Sequence, residues 1–293
     1  MKIEWTDLTL NPIIGCSHAG YSGADGRKHA HPGCQNCYAE AMCSRPLPGF
    51  EAHNACAKGG KWTGDIRMLH ERLAWPFTRK EYAPRKDGKQ RKVFLTSLSD
   101  AGHPALALQD WMAIQGMMVL APWLTWQDLT KRPELQAERL RRYSPIECVR
   151  EALRRLEGLG CEAETVVRMV PGRALMDLDG TRWEDIRHIH RYVSVSDQAT
   201  ANALIPELLQ MPAAVRGVSL EPMIEPVDLF EFLPRIEGDY ADMFDPGFSN
   251  CTAGVDHVIV GGESGRNARP CDLAWIAEVV KQCREAGVPC FVK

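Results

Sequence analysis

Cys34-Gln35-Asn36-Cys37 sets two thiols two residues apart, and Cys16 precedes that pair across 17 residues. A CxxC turn aims both sulfurs at one point, and a third thiolate can join them from a separate loop. Three sulfur ligands on a four-iron cluster leave one iron with an open coordination position. The same segment, CSHAGYSGADGRKHAHPGCQNC, also carries His18, His29 and His31. A Cys3His zinc site would use these residues equally well, and spacing alone leans slightly to zinc. Free buried thiols are the bland alternative, disfavoured by a polar loop and a tightly spaced pair. The other cysteines (Cys43, Cys56, Cys148, Cys161, Cys251, Cys271, Cys283 and Cys290) stand mostly in amphipathic or apolar contexts and read as small core residues. Cys43 and Cys56 are the two that could add ligands.

A second set of chemistry-bearing residues follows short apolar runs. These runs are VFLTSL (93–98), WLTWQDL (123–129), RYVSVS (191–196), VRGVSL (215–220), HVIVGG (257–262) and PCFVK (289–293), with one more near 2–10. Amphipathic segments at 105–121, 133–142, 197–211 and 271–287 separate several of them. Strands alternating with helices of this length predict βαβ units and a parallel sheet, in a single α/β domain over 1–293 built as a partial or complete (βα) TIM-type barrel. In such a barrel the carboxyl ends of the strands line the site. That places together Ser97, Ser99 and Asp100; Thr130, Lys131 and Arg132; Ser194, Ser196 and Asp197; Ser219 and Glu221; and Gly262 with Glu263. Helix N-capping is the competing explanation for Ser99, Asp100, Asp197 and Ser264 taken singly. For the ring as a whole, function is the better reading.

The elements that position these groups are less regular in the first third. Residues 11–45 form the cysteine-bearing loop, with helix beginning near Cys37, and a further helix is expected over 66–80. Residues 144–185 interrupt the βα rhythm. SPIECVREALRRLEGLG predicts a helix, ETVVRMV a short strand and PGRALMDLDG a turn-rich link, together an insertion that serves as a lid or substrate module. The stretch RKEYAPRKDGKQRK (79–92) holds seven Lys or Arg against two acidic residues. It reads first as a solvated loop and second as a phosphate-tracking surface beside Arg150, Arg154 and Arg155.

At 293 residues, with 45% hydrophobic and 25% charged residues, the chain can build a large core without disulfides. A net charge of −3 excludes a strongly basic, histone-like binding mode but not a local basic groove. MKIEWTDLTLNP lacks a basic head and apolar run, and no stretch approaches a membrane span, which predicts a soluble cytoplasmic protein with no membrane partner. Eleven cysteines in a reducing compartment are then thiols or metal ligands rather than staples.

IEWTDLTLNPIIGC, CQNCYAEAM, LTSLSD, LTKRPE, VSVSDQATA, VSLEPM and VIVGGESGRNARP occur in that order. Together they resemble a family of phage-associated, uncharacterised radical S-adenosylmethionine-like proteins defined by a three-cysteine motif. The resemblance covers residue 3 to the C-terminus outside 144–185, and it turns the metal assignment from zinc to iron. It implies a [4Fe-4S] cluster on Cys16, Cys34 and Cys37, S-adenosyl-L-methionine as the second cofactor, and an external electron donor. It also implies cofactor contacts from Ser97, Ser99, Asp100, Lys131, Ser196, Asp197, Ser219, Glu221, Gly262 and Glu263. The radical enzyme's usual CxxxCxxC has an aromatic before its last cysteine; here the first gap is 17 residues and Tyr38 follows Cys37. The implied substrate is a nucleobase, nucleotide or nucleic acid, as in hypermodification of phage DNA thymine. The rival from another class is a zinc-stabilised nucleic-acid-binding or adaptor protein that does no catalysis.

Overall fold

The computed structural model describes residues 3–46, 50–170, 179–234, 254–265 and 267–293; Cys251 and the first eight residues of PGRALMDLDG lie outside them. Seven strands make one parallel sheet: β1 (Leu8–Leu10), β2 (Arg91–Leu95), β3 (Leu124–Thr130), β4 (Ile189–Val195), β5 (Val215–Leu220), β6 (His257–Val260) and β7 (Cys290–Val292). They pair in chain order from β1 to β7. Sequential parallel order is the product of repeated βα crossovers of one hand. The sheet curls into a half-barrel. Among the described residues no ladder joins β7 back to β1.

The helices are α1 (Tyr38–Cys43), α2 (Leu108–Leu120), α3 (Pro133–Arg142), α4 (Pro145–Gly158), α5 (Ala163–Met169), α6 (Gln198–Leu209) and α7 (Leu273–Glu285), beside two short ones at Glu51–Cys56 and Trp75–Thr78. Alternation along each strand divides the sheet into two unlike faces. On the outer face Val93, Leu95 and Trp126 join the helical core of α2 and α4, while Val193, Val195, Val218, Leu220, Val258 and Val260 join that of α6 and α7. The inner face is floored by Trp5, Phe94, Tyr192 and Ile259, with Leu129 and Phe291 packed against them. Gly217 is required there: a Cβ on it would stand 2.1 Å from the Tyr192 ring. Two residues further along the same face, Ser194 and Ser219 stand side by side in register. The floor is therefore apolar at the amino end and hydroxyl-bearing at the carboxyl end.

Three expectations are corrected. Residues 66–80 do not form one helix; Arg67–Met68 is a short strand, His70–Ala74 a 3-10 turn, and only Trp75–Thr78 is α-helical. Pro76 explains the break, because without an N–H it fits the first turn of a helix and cannot continue one. The 144–185 segment is not a peripheral lid across its described residues. Ser144 accepts Glu147's partnership in a capping box, its N–H donating to Glu147 Oε2 at 2.8 Å. The helix it starts, α4, buries Cys148, Val149, Ala152 and Leu156 in the main core. Gly116 in α2 permits that approach, since a Cβ there would lie 2.0 Å from the Cys148 carbonyl. ETVVRMV is the helix α5 rather than a strand; Val166 and Met169 turn to the core while Arg168 pairs with Glu164 one turn away.

Candidate functional site

The chain leaves β1 and turns at Gly15, which has φ +90° and no room for a Cβ because Asp65 O would be 2.1 Å away. This turn delivers Cys16 to the carboxyl ends of β2 and β3. Ser99 Oγ donates to Gly15 O at 2.6 Å. Arg132 reaches across from the end of β3, donating through Nη2 to Ser17 O at 2.9 Å and to Ser17 Oγ at 3.1 Å, with Nη1 3.8 Å from Cys16 Sγ. His103 Nε2 closes the same contact on Ser17 Oγ at 2.8 Å.

Asp100 fixes Arg132. Its carboxylate accepts from Arg132 Nη1 at 2.8 Å, Thr130 Oγ1 at 2.6 Å, Gly102 N at 2.8 Å and Lys131 N at 3.2 Å. Burial favours the neutral acid, but Arg132 and these donors outweigh it and hold the carboxyl below its ordinary range. Thr96, where β2 ends, has φ +58°, and its buried hydroxyl has no partner among the described residues. A β-branched residue in the left-handed region is strained, at a cost of roughly 1–2 kcal/mol. The bend it makes turns Ser97, Leu98 and Ser99 back onto Asn11 and Gly15.

The second arm is the turn Pro32–Cys34 followed by α1, whose N-cap residue is Cys37. His31 roots it: Nδ1 accepts from Gly33 N at 3.1 Å, so Nε2 carries the proton and donates to Ser194 O at 2.9 Å. Burial, with Lys131 nearby, lowers the His31 pKa to about 3, so the ring is neutral. Gly33 sits on β4's end so closely that a Cβ would be 2.6 Å from Ser196 Oγ, a buried hydroxyl without a hydrogen-bond partner among the described residues. Tyr38 Oη donates to Ser97 O at 2.7 Å. Glu263, after β6, accepts from Asn36 Nδ2 at 3.0 Å and pairs with Arg269 at 2.5 Å.

The predicted ring is thus brought to one end of the sheet, yet much of it grips the cysteine arms. Ser97, Ser99, Asp100, Arg132 and Glu263 have partners in those arms or in each other. Asp197 is the N-cap of α6, accepting from Thr200 N at 2.8 Å. Glu221 pairs with Lys293, whose ammonium also donates to Ser264 Oγ at 2.7 Å. Gly262 backs onto Cys271, 3.2 Å from where a Cβ would be. Lys131 lies close enough to act electrostatically on His31 and Cys34, and Ser194, Ser196 and Ser219 are buried at the ends of β4 and β5. Sequence reasoning missed Asn11, Asn36, His103, Arg269 and Lys293. Asn11, Asn36 and Arg269 had a signal, their places in IEWTDLTLNPIIGC, CQNCYAEAM and VIVGGESGRNARP.

Cys16, Cys34 and Cys37 are free thiols. Burial and Asp100 push the Cys16 thiol up to about 12 against the pull of Arg132, and burial likewise raises Cys34. Protonated thiols of this kind are poor nucleophiles and become ligands when a cation displaces their protons. Three thiols are the donor chemistry of a thiolate-held metal, although among the described residues no three His, Cys, Asp or Glu side chains are grouped as a formed metal site. Of the loop histidines, His18 bonds Glu40 through Nε2 at 3.2 Å and His29 bonds Asp25 through Nε2 at 2.9 Å, whereas both nitrogens of His31 are bonded. Cys43 and Cys56 are fully buried in packing beneath the arms.

The basic stretch 79–92 runs into the amino end of β2, the end of the sheet away from the cysteines. Arg154 and Arg155 are paired with Glu151, and Arg155 also with Asp110. No described helix is long and apolar enough to cross a membrane. Residues 1–293 match the family model described as a protein of unknown function, DUF5131. No curated protein and no solved structure matches the chain.

Proposed function

The chain belongs to the DUF5131 family, and we propose that it is an iron–sulfur enzyme of the radical S-adenosylmethionine type. Cys16, Cys34 and Cys37 would hold a [4Fe-4S] cluster. The observation that carries this reading is the double mounting of the cysteines. Two arms separated by 17 residues are each locked by a guanidinium–carboxylate pair to strand ends of a parallel half-barrel. In barrels of this kind the carboxyl ends of the strands are where catalysis is housed. With both of its ring nitrogens bonded, His31 is withdrawn from any Cys3His zinc group, and the choice of iron over zinc rests on the family resemblance.

A cluster with one open iron supplies the reductive cleavage of S-adenosylmethionine to a 5′-deoxyadenosyl radical, given electrons from an external donor. The chain's own residues provide the surroundings. The Lys131 ammonium supplies positive charge beside Cys34 for a carboxylate or phosphate. Ser194, Ser196 and Ser219 offer hydroxyls on the inner face. Trp5, Phe94, Tyr192 and Ile259 seal that face from below, which keeps water from a reactive intermediate. A nucleobase or nucleotide substrate, extending to phage DNA thymine, rests on the family resemblance alone.

Anaerobic reconstitution tests the proposal. The expected product is a brown protein with about four irons per chain that releases 5′-deoxyadenosine when reduced with S-adenosylmethionine. Cys34→Ala or Cys37→Ala should abolish cluster loading, whereas Cys283→Ala, on the buried face of α7, should load normally. Equal iron in all three variants, or a colourless zinc protein, would overturn the assignment.

A further inference from the structure

The pair Glu263–Arg269 joins two stretches of chain that lie 227 or more residues apart. Every nitrogen of the Arg269 guanidinium has a partner. Nε donates to Glu263 Oε2 at 3.0 Å, and Nη2 donates to Glu263 Oε1 at 2.5 Å and to Pro32 O at 3.0 Å. Nη1 donates to Gln35 Oε1 at 3.2 Å. Glu263 Oε2 also accepts from Arg269 N at 2.8 Å and Asn36 Nδ2 at 3.0 Å, and Asn36 donates again to Asn267 O at 3.1 Å. The Glu263 side chain is only 4% exposed and that of Arg269 24%. Of the contacted residues, Pro32 and Gln35 flank Cys34 and Asn36 directly precedes Cys37, so three fixings fall within five residues.

We propose that Arg269 is the positioning residue of the Cys34–Cys37 turn, acting with Glu263 and Asn36 to set the two thiols for a metal centre. The role rests on the reading of these cysteines as iron ligands. A planar fork is needed for it, because one side chain must address a carboxylate, a backbone carbonyl and an amide in different directions. Lysine offers charge at one point and can replace only part of this. The Asp100–Arg132 pair does the equivalent work for Cys16, so the Glu263–Arg269 contact governs the CxxC turn and not the whole loop.

The test uses the full-length protein and two readouts. The first is iron retained by the reconstituted protein under challenge with a chelator. The second is the rate at which iodoacetamide alkylates Cys34 and Cys37 in the metal-free protein, followed by peptide mass spectrometry with Cys161 as the remote reference. Arg269→Ala is expected to lose iron about tenfold or more readily and to alkylate faster at Cys34 and Cys37 with Cys161 unchanged. Arg269→Lys should recover part of both effects, and Glu263→Gln, which takes the carboxylate from the Arg269 guanidinium, should show the same iron loss and the same faster alkylation at Cys34 and Cys37 with Cys161 unchanged. Unaltered retention and unaltered alkylation in Arg269→Ala would overturn the proposal. A wild type that takes up no iron while Arg269→Ala still alkylates faster would overturn the iron reading and leave the positioning role standing.

Discussion

Gly33 and Ser196 meet where the cysteine turn settles on β4, and the contact leaves no room for a methyl group. Gly33→Ala should therefore destabilise the protein by about 1–3 kcal/mol, and Ser196→Ala in the same chain should recover part of that loss by removing the opposing oxygen. Denaturant melts of the two single variants and the double variant check this; strictly additive effects would show that the two residues do not share one space. At this scale the sequence brought out polar residues at the strand ends but not the contacts they make there. Asp100, Ser99 and Glu263 were legible as polar groups ending buried strands. Whether such a group faces a ligand or holds a loop depends on which distant segment reaches it, and Arg132 meeting Ser17 or Arg269 meeting Pro32 leaves no local trace. His31 was legible as a possible ligand because its type is right. Its bonds to Gly33 and Ser194 O arise only when the loop closes on β4.

Among the elements, α4 carries the clearest consequence. It is seated against α2 through Gly116, with the Cys148 carbonyl filling the place of a side chain. A helix-interior glycine ordinarily yields stability when changed to alanine, by up to about 1 kcal/mol. Here the sign should reverse, and Gly116→Ala should cost about 1–3 kcal/mol as the two helices are forced apart. Urea denaturation decides it; a more stable variant would mean that α4 is not packed as described. The helices at 133–142 and 145–158 were legible from capping signals and amphipathic spacing. The misreadings share a cause, which is that β-branched pairs and short apolar runs do not declare their partner. Val166-Val167 suggested a strand, but burial of Val166 and Met169 on one side made a helix the better packing. Residues 66–80 had helical spacing, and Pro76 divided it.

For the molecule as a whole, several histidines are held neutral in the folded state. Burial lowers His31 to about 3 and His103, His188 and His257 to about 4. In the unfolded chain each protonates near ~6.5. Below that pH the unfolded state binds more protons, so the stability these residues contribute is complete above it and is lost as pH falls toward the folded values. For His31, 2% exposed, the loss is about 1.4 kcal/mol per pH unit. The melting temperature should thus drop between pH 7 and pH 5, and His188→Gln should flatten the slope; a profile level across that range would contradict it. Asp100, with its depressed pKa, adds to stability above the ordinary carboxylate range and withdraws only as pH falls below it, so the two windows separate. The half-barrel order was legible because apolar runs and helices alternate along the chain. The buried Asp128–Arg191 pair behind β3 and β4 was not, since WLTWQDL and RYVSVS each look like simple strands until they lie side by side. The cysteine loop hangs from the ends of β2, β3, β4 and β6 at once, which makes it a poor cassette. A synthetic peptide spanning Cys16 to Cys37, or the same stretch grafted into a foreign scaffold, would carry the sulfurs without the moorings, and transplanting the chemistry would mean transplanting the strand ends too.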